Sequence, residues 1–130
     1  MKIDAKNMNW TVSFDDGYVH LLQIDYRFGI LIADRAESIR VHIGSPFRFQ
    51  GPDGTEAEVE PEDPPTVAPA LQIANGGVKS LAVSETGSLQ IDFANGASLF
   101  VMASERYEAW QIGGAYSDEV GRAFRLMSAT

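Results

Sequence analysis

Apolar and polar residues alternate along most of this chain. Leu89, Ile91 and Phe93 share one parity, and Ser88, Gln90 and Asp92 the other. Ile39, Val41 and Ile43 alternate in the same way with Arg40 and His42. Successive side chains of a strand point to opposite faces, so period-two patterning marks strands with one face on a core and one toward water. Residues 78–84 and 97–103 are further β-rich runs. Asp15-Asp16-Gly17, Pro52-Asp53-Gly54, Glu85-Thr86-Gly87 and Ala94-Asn95-Gly96 punctuate the pattern, because Gly and Asn tolerate the positive φ of tight hairpins. Turns at this spacing predict antiparallel meanders.

Two segments depart from the alternation. Residues 66–75 read TVAPALQIAN and end at Gly76-Gly77. They predict one short helix near 67–75, with Pro69 in its first turn and Leu71 and Ile73 turned inward. Before it, GPDGTEAEVEPEDPP (51–65) is acidic and proline-rich, with Glu56, Glu58 and Glu60 alternating against Ala57 and Val59. That is the expectation for an edge strand with three carboxylates on one face, which also discourages unwanted strand pairing. Asp53, Glu56, Glu58, Glu60, Glu62 and Asp63 fall within eleven residues without a basic residue among them, and without the spacing of a Ca²⁺ loop.

LLQIDYRFGILIAD (21–34) and SLQIDFANGASLFVMA (88–103) resemble one another. Leu22, Ile24 and Tyr26 correspond to Leu89, Ile91 and Phe93, and Asp25 to Asp92. The same hairpin used twice implies two related meanders folded against each other, with an inward aromatic closing the first strand of each. The expected architecture is a mainly β single domain over 1–130, bordering on α+β, with two antiparallel meanders forming a sandwich or roll. Residues 115–130 add a last strand or short helix, with Phe124, Leu126 and Met127 covering an open sheet edge.

Composition narrows the function. A chain of 130 residues is long enough for a real core, and without cysteine it has no disulfide, thiolate metal site or thiol nucleophile. The first residues lack the apolar run of a secretory signal, and no stretch has the length of a membrane helix. A cytoplasmic protein without a membrane partner is therefore expected. The net charge of −8 repels phosphate backbones and anionic lipid, and attracts a basic protein.

Catalytic chemistry finds little to work with. His20 shares a parity with Leu22 and Ile24, at the margin of the core, whereas His42 points outward beside Arg40, so no shared metal site is expected. Nucleophile-elbow, zinc-protease, phosphate-loop and dinucleotide motifs are absent. Asp25 and Asp92 lie on outward faces. No cofactor, metal or catalytic residue is assigned, and the expected protein is not an enzyme. An enzyme of another type would need a cleft where carboxylates or histidines converge.

In YEAWQIGG (107–114), Trp110 is large enough to belong to the core, with its N–H in need of an acceptor. Glu108 shares its parity and therefore sits at a rim or pairs with Arg106 or Arg40. The order of the acidic proline segment, the short helix, the hairpin Gly87, Leu89, Ile91, Phe93, Asn95, Gly96 and the strand Tyr107 to Trp110 resembles a family of small acidic bacterial domains of unknown function. The resemblance spans about residues 38–114 by pattern order. It implies no activity. By size, acidity and architecture it is loosely similar to immunity proteins that neutralise bacterial toxins.

The reading that unites these features is a non-enzymatic protein-interaction module, immunity-like in kind. It would bind a basic partner through Glu56, Glu58 and Glu60, with Tyr107 and Glu108 as anchors. A homodimer through a sheet edge is a further expectation. The alternative is a small-ligand carrier or sensor with a pocket between the sheets, lined by Tyr26, Phe93 and Trp110.

Overall fold

The computed structural model describes residues 1–6, 9–104, 109–116 and 122–129, from 115 onward by backbone alone. Twelve strands among them form two sheets. The first has seven strands in the order β1 (Lys2–Lys6), β2 (Asn9–Ser13), β8 (Val78–Val83), β9 (Leu89–Phe93), β10 (Ser98–Val101), β6 (Phe47–Gln50) and β7 (Glu56–Val59). The second has five, in the order β12 (Arg122–Ala129), β11 (Trp110–Tyr116), β5 (Glu37–Ile43), β4 (Phe28–Asp34) and β3 (Tyr18–Ile24). Every pairing is antiparallel, so the architecture is the mainly β one that alternation predicts.

The alternation fixes which faces meet. Phe28, Ile30 and Ile32 of β4, Ile39, Val41 and Ile43 of β5, and Trp110 and Ile112 of β11 are buried on one side. They pack against Leu81, Leu89, Ile91, Leu99, Phe47 and Phe49 of the other sheet in one continuous core. The Phe28 and Phe47 rings stand 5.4 Å apart between the sheets. Trp110 is core, as expected, and its Nε1 donates to the Gly87 carbonyl of the β8–β9 turn at 2.7 Å.

The turns behave unequally. Gly54, Gly87 and Gly96 have φ of +88°, +87° and +94°, where a side chain is strained. Gly17 is required for space instead: a Cβ there would lie 2.5 Å from Phe14 Cβ. The hairpin between β4 and β5 was not anticipated. It turns at Arg35 with φ of 58°, a left-handed position rarely held by arginine.

The helix forms, but as a 3₁₀ helix over Pro64–Ile73 that starts three residues before the expected stretch. With three residues per turn, Val67, Ala70 and Ile73 stack on the buried side. Leu71, expected inward on an α-helical phase, is exposed. Pro69 lies inside the helix, where its ring would clash with the carbonyl four residues back in an α-helix, which favours the tighter winding.

The two similar segments do form one hairpin in each sheet, β3–β4 and β9–β10. Their burial differs. Leu89, Ile91 and Phe93 are buried, whereas Ile24 and Tyr26 are exposed and Leu22 is half-buried. A bulge between Val19 and Leu21 shifts the register of β3, and β3 lies at the edge of its sheet. The same bulge takes His20 out of the core margin where alternation placed it. It is exposed, edge-on to the Tyr18 ring. Residues 122–129 add the expected last strand against β11, while the side chains of Phe124, Leu126 and Met127 lie outside the described side chains.

Candidate functional site

Strand β7 is the edge of the seven-stranded sheet, as the carboxylate alternation predicts. Its register against β6 pairs Gln50 with Glu56, Phe49 with Ala57, Arg48 with Glu58 and Phe47 with Val59. Val59 seals the core and Ala57 is half-buried, so Glu56 and Glu58 are left exposed on the outer face. They share a shallow groove of about 330 Å³ with Pro46, Arg48, Phe100 and Met102. Arg48 forms no ion pair with either glutamate among the described residues. Two carboxylates and the Arg48 guanidinium thus surround a small apolar spot.

Glu60 leaves the strand face. It lines a second groove of about 360 Å³ with Glu62, Asp63, Pro61, Pro46 and Gly44. The Glu60 amide donates to Thr66 Oγ1 at 2.8 Å, which fixes the loop against the start of the 3₁₀ helix. Asp53 has a local task. It accepts from the Thr55 amide at 3.0 Å and the Thr55 hydroxyl at 2.9 Å, and these bonds hold its carboxyl below the usual range. The remaining two residues of the predicted surface, Tyr107 and Glu108, lie outside the described residues.

The outer face of the five-stranded sheet presents one cation, Arg40, in a shallow trough. Ser38, Arg40 and His42 of β5 line a trough of about 440 Å³ with Leu31, Gln111, Gly113 and Gly114. His42 is half-buried, beside Arg40 as expected, and a Cβ on its neighbour Gly29 would lie 3.3 Å from its Cδ2. Burial, then the Arg27 and Arg40 charges, lower the His42 pKa, against a smaller opposing effect of Asp25. Among the described residues no three His, Cys, Asp or Glu side chains are placed to hold a metal ion.

Other expected constellations do not assemble. Phe93 and Trp110 are packed in the core while Tyr26 is exposed, so these three do not line one pocket. Asp25 follows β3 and accepts from the Arg27 amide at 2.7 Å, whereas Asp92 belongs to β9 in the other sheet and accepts from Gln90. They do not face each other across a cleft.

A buried carboxylate escaped the sequence reading. Asp34 is 1% exposed and accepts from the Asp16 and Asp15 amides at 2.9 and 3.0 Å. The Met1 ammonium lies 3.0 Å away. Burial opposes ionisation of Asp34, but the Asp16 amide, the ammonium and the Asp15 amide outweigh it and hold the carboxyl below its usual range. The signal was available: Asp34 has the parity of Phe28, Ile30 and Ile32, so strict alternation points it inward. Its role is to tie the β2–β3 turn to the end of β4.

Comparison with known proteins agrees with the pattern-based resemblance. A model of a family of unknown function, DUF6188, matches residues 10–120. No curated protein and no solved structure matches the chain. Among the described residues no helix is long and apolar enough to cross a membrane.

Proposed function

The chain belongs to DUF6188, a family of unknown function, and we propose that it is a non-enzymatic protein-interaction module that meets a basic partner along β7. The observation that carries this reading is the exposure of Glu56 and Glu58 on one face of an edge strand, beside the exposed Met102 and half-buried Phe100. Glu56 and Glu58 outnumber Arg48 around this apolar spot, and with it they give long-range attraction to a cationic surface and a desolvated centre once docked. Glu60, Glu62 and Asp63 extend the negative field around the adjoining groove. An immunity-like role, in which the basic partner is a toxin to be neutralised, falls within this reading. A cytoplasmic setting is consistent with it.

In this reading the acids of β7 serve recognition. Affinity capture from the native cell at low salt, with mass spectrometry, tests the proposal. The wild-type chain is expected to retain a basic protein that the Glu56→Lys, Glu58→Lys, Glu60→Lys variant does not. Equal retention by both chains would refute the acidic edge as the binding surface.

A further inference from the structure

The two sheets have four edges, three of them with described side chains, and charge guards two of those three. Strand β1 carries Lys2, Asp4 and Lys6, and β7 carries Glu56 and Glu58. Charged residues on an edge deter pairing with another chain. Strand β3, Tyr18–Ile24, contains no Asp, Glu, Lys or Arg. It also gathers apolar surface: of the six large hydrophobics exposed among the described residues, Tyr18 (41%), Leu21 (51%), Ile24 (44%) and Tyr26 (67%) belong to this strand or its turn.

The start of the edge is already occupied. Val19 donates to the Gly76 carbonyl at 2.8 Å and accepts from the Asn75 amide at 3.2 Å. Among the described residues no strand continues this pairing along Leu21 to Ile24. That stretch presents unpaired backbone groups together with exposed Leu21 and Ile24 side chains.

We propose that this free stretch of β3 pairs with the same stretch of a second copy, antiparallel about a twofold axis, joining two five-stranded sheets edge to edge. A twofold axis places identical patches against each other and runs paired strands antiparallel. An uncharged strand meets its own copy without burying a charge. The flanks are complementary as well. Arg27 lies just beyond the C-terminal end of β3, and Asp15 and Asp16 just before its N-terminal end. Antiparallel pairing carries the Arg27 end of each strand toward the other copy's Asp15 and Asp16, exposed carboxylates that in the single chain hold the Met1 ammonium at 3.5 Å and Arg35 at 2.9 Å. In the single chain Arg27 is half-buried, with its guanidinium 5.1 Å from the centre of the Tyr26 ring.

Sedimentation equilibrium of the full chain tests this. The wild type is expected to be a dimer, Leu21→Lys and Ile24→Lys to be monomers, and Met102→Lys, which alters an exposed apolar residue just past β10, to remain a dimer. Leu21 and Ile24 are both exposed, so the circular dichroism of both variants should match the wild type. A wild type that stays monomeric, a dimer that survives both lysines, or one equally lost in Met102→Lys would overturn the proposal. A monomer that instead pairs with an added extended peptide would overturn it too. The Glu56→Lys, Glu58→Lys, Glu60→Lys variant should remain dimeric, so dimerisation and the acidic-edge reading stand or fall separately.

Discussion

The Trp110 indole N–H donates to the Gly87 carbonyl across the sandwich, so that β11 of one sheet is tied to the β8–β9 turn of the other. This one side chain combines the largest buried volume with an inter-sheet hydrogen bond. Trp110→Ala should therefore cost about 3–5 kcal/mol. Trp110→Phe should cost less, on the order of 1–3 kcal/mol, because it keeps most of the packing and loses the donor. Urea unfolding of the two variants checks both the size and the order of these effects.

Asp34 provides a pH test. Its folded pKa is lowered, so the stability it contributes is present above the ordinary aspartate pKa and is lost as pH falls through the lower, folded value. The wild type should lose stability from about pH 4 downward. Asp34→Ala should cost on the order of 3 kcal/mol at neutral pH, because it removes the acceptor of two amides and the partner of the Met1 ammonium. Its acid limb should be flatter than that of the wild type. Denaturant midpoints measured across the acid range decide the matter, and parallel limbs would rule out the assigned role.

Two glycines separate strain from crowding. Gly54 has positive φ with nothing within 4 Å of an added Cβ, so Gly54→Ala should cost about 1–2 kcal/mol of backbone strain. At Gly17 an added Cβ meets Phe14 side-chain carbons at 2.5 and 2.8 Å and the Val78 carbonyl oxygen at 2.9 Å. Gly17→Ala should be the more damaging, at roughly 2–3 kcal/mol, since the packed turn has to move. Thermal melts rank the pair.

The 3₁₀ phase of the Pro64–Ile73 helix is checked by a contrast inside that segment. Ile73→Ala should cost about 2–4 kcal/mol, whereas Leu71→Lys should change stability by less than about 0.5 kcal/mol. An α-helical phase with Leu71 inward would make Leu71→Lys the harmful one.

What could be read from the residues, and what could not, follows from the physics of each signal. Alternation through Ile39, Val41, Ile43 and Leu89, Ile91, Phe93 assigned both core faces, because the strand period is two regardless of context. The carboxylates of 56 and 58 announced an edge for the same reason. Alternation failed at His20, Ile24 and Tyr26, where the bulge after Val19 and an edge position broke the parity. Helix phase failed at Leu71, because Pro69 disfavours the α-helical winding that the reading assumed. Within the acidic strip, the separate tasks of Asp53, a turn acceptor, and Glu60, a loop residue, depend on Thr55 and Thr66, contacts that charge counting does not register.

Electrostatic recognition through β7 is decided by an association rate. For the basic protein captured by the wild-type chain, stopped-flow mixing compares wild type with the Glu56→Lys, Glu58→Lys, Glu60→Lys variant over a range of salt. The expected result is a wild-type rate that falls as salt rises, and a variant rate at least about tenfold lower at low salt. A rate unmoved by salt and by charge reversal would rule out recognition through the β7 carboxylates.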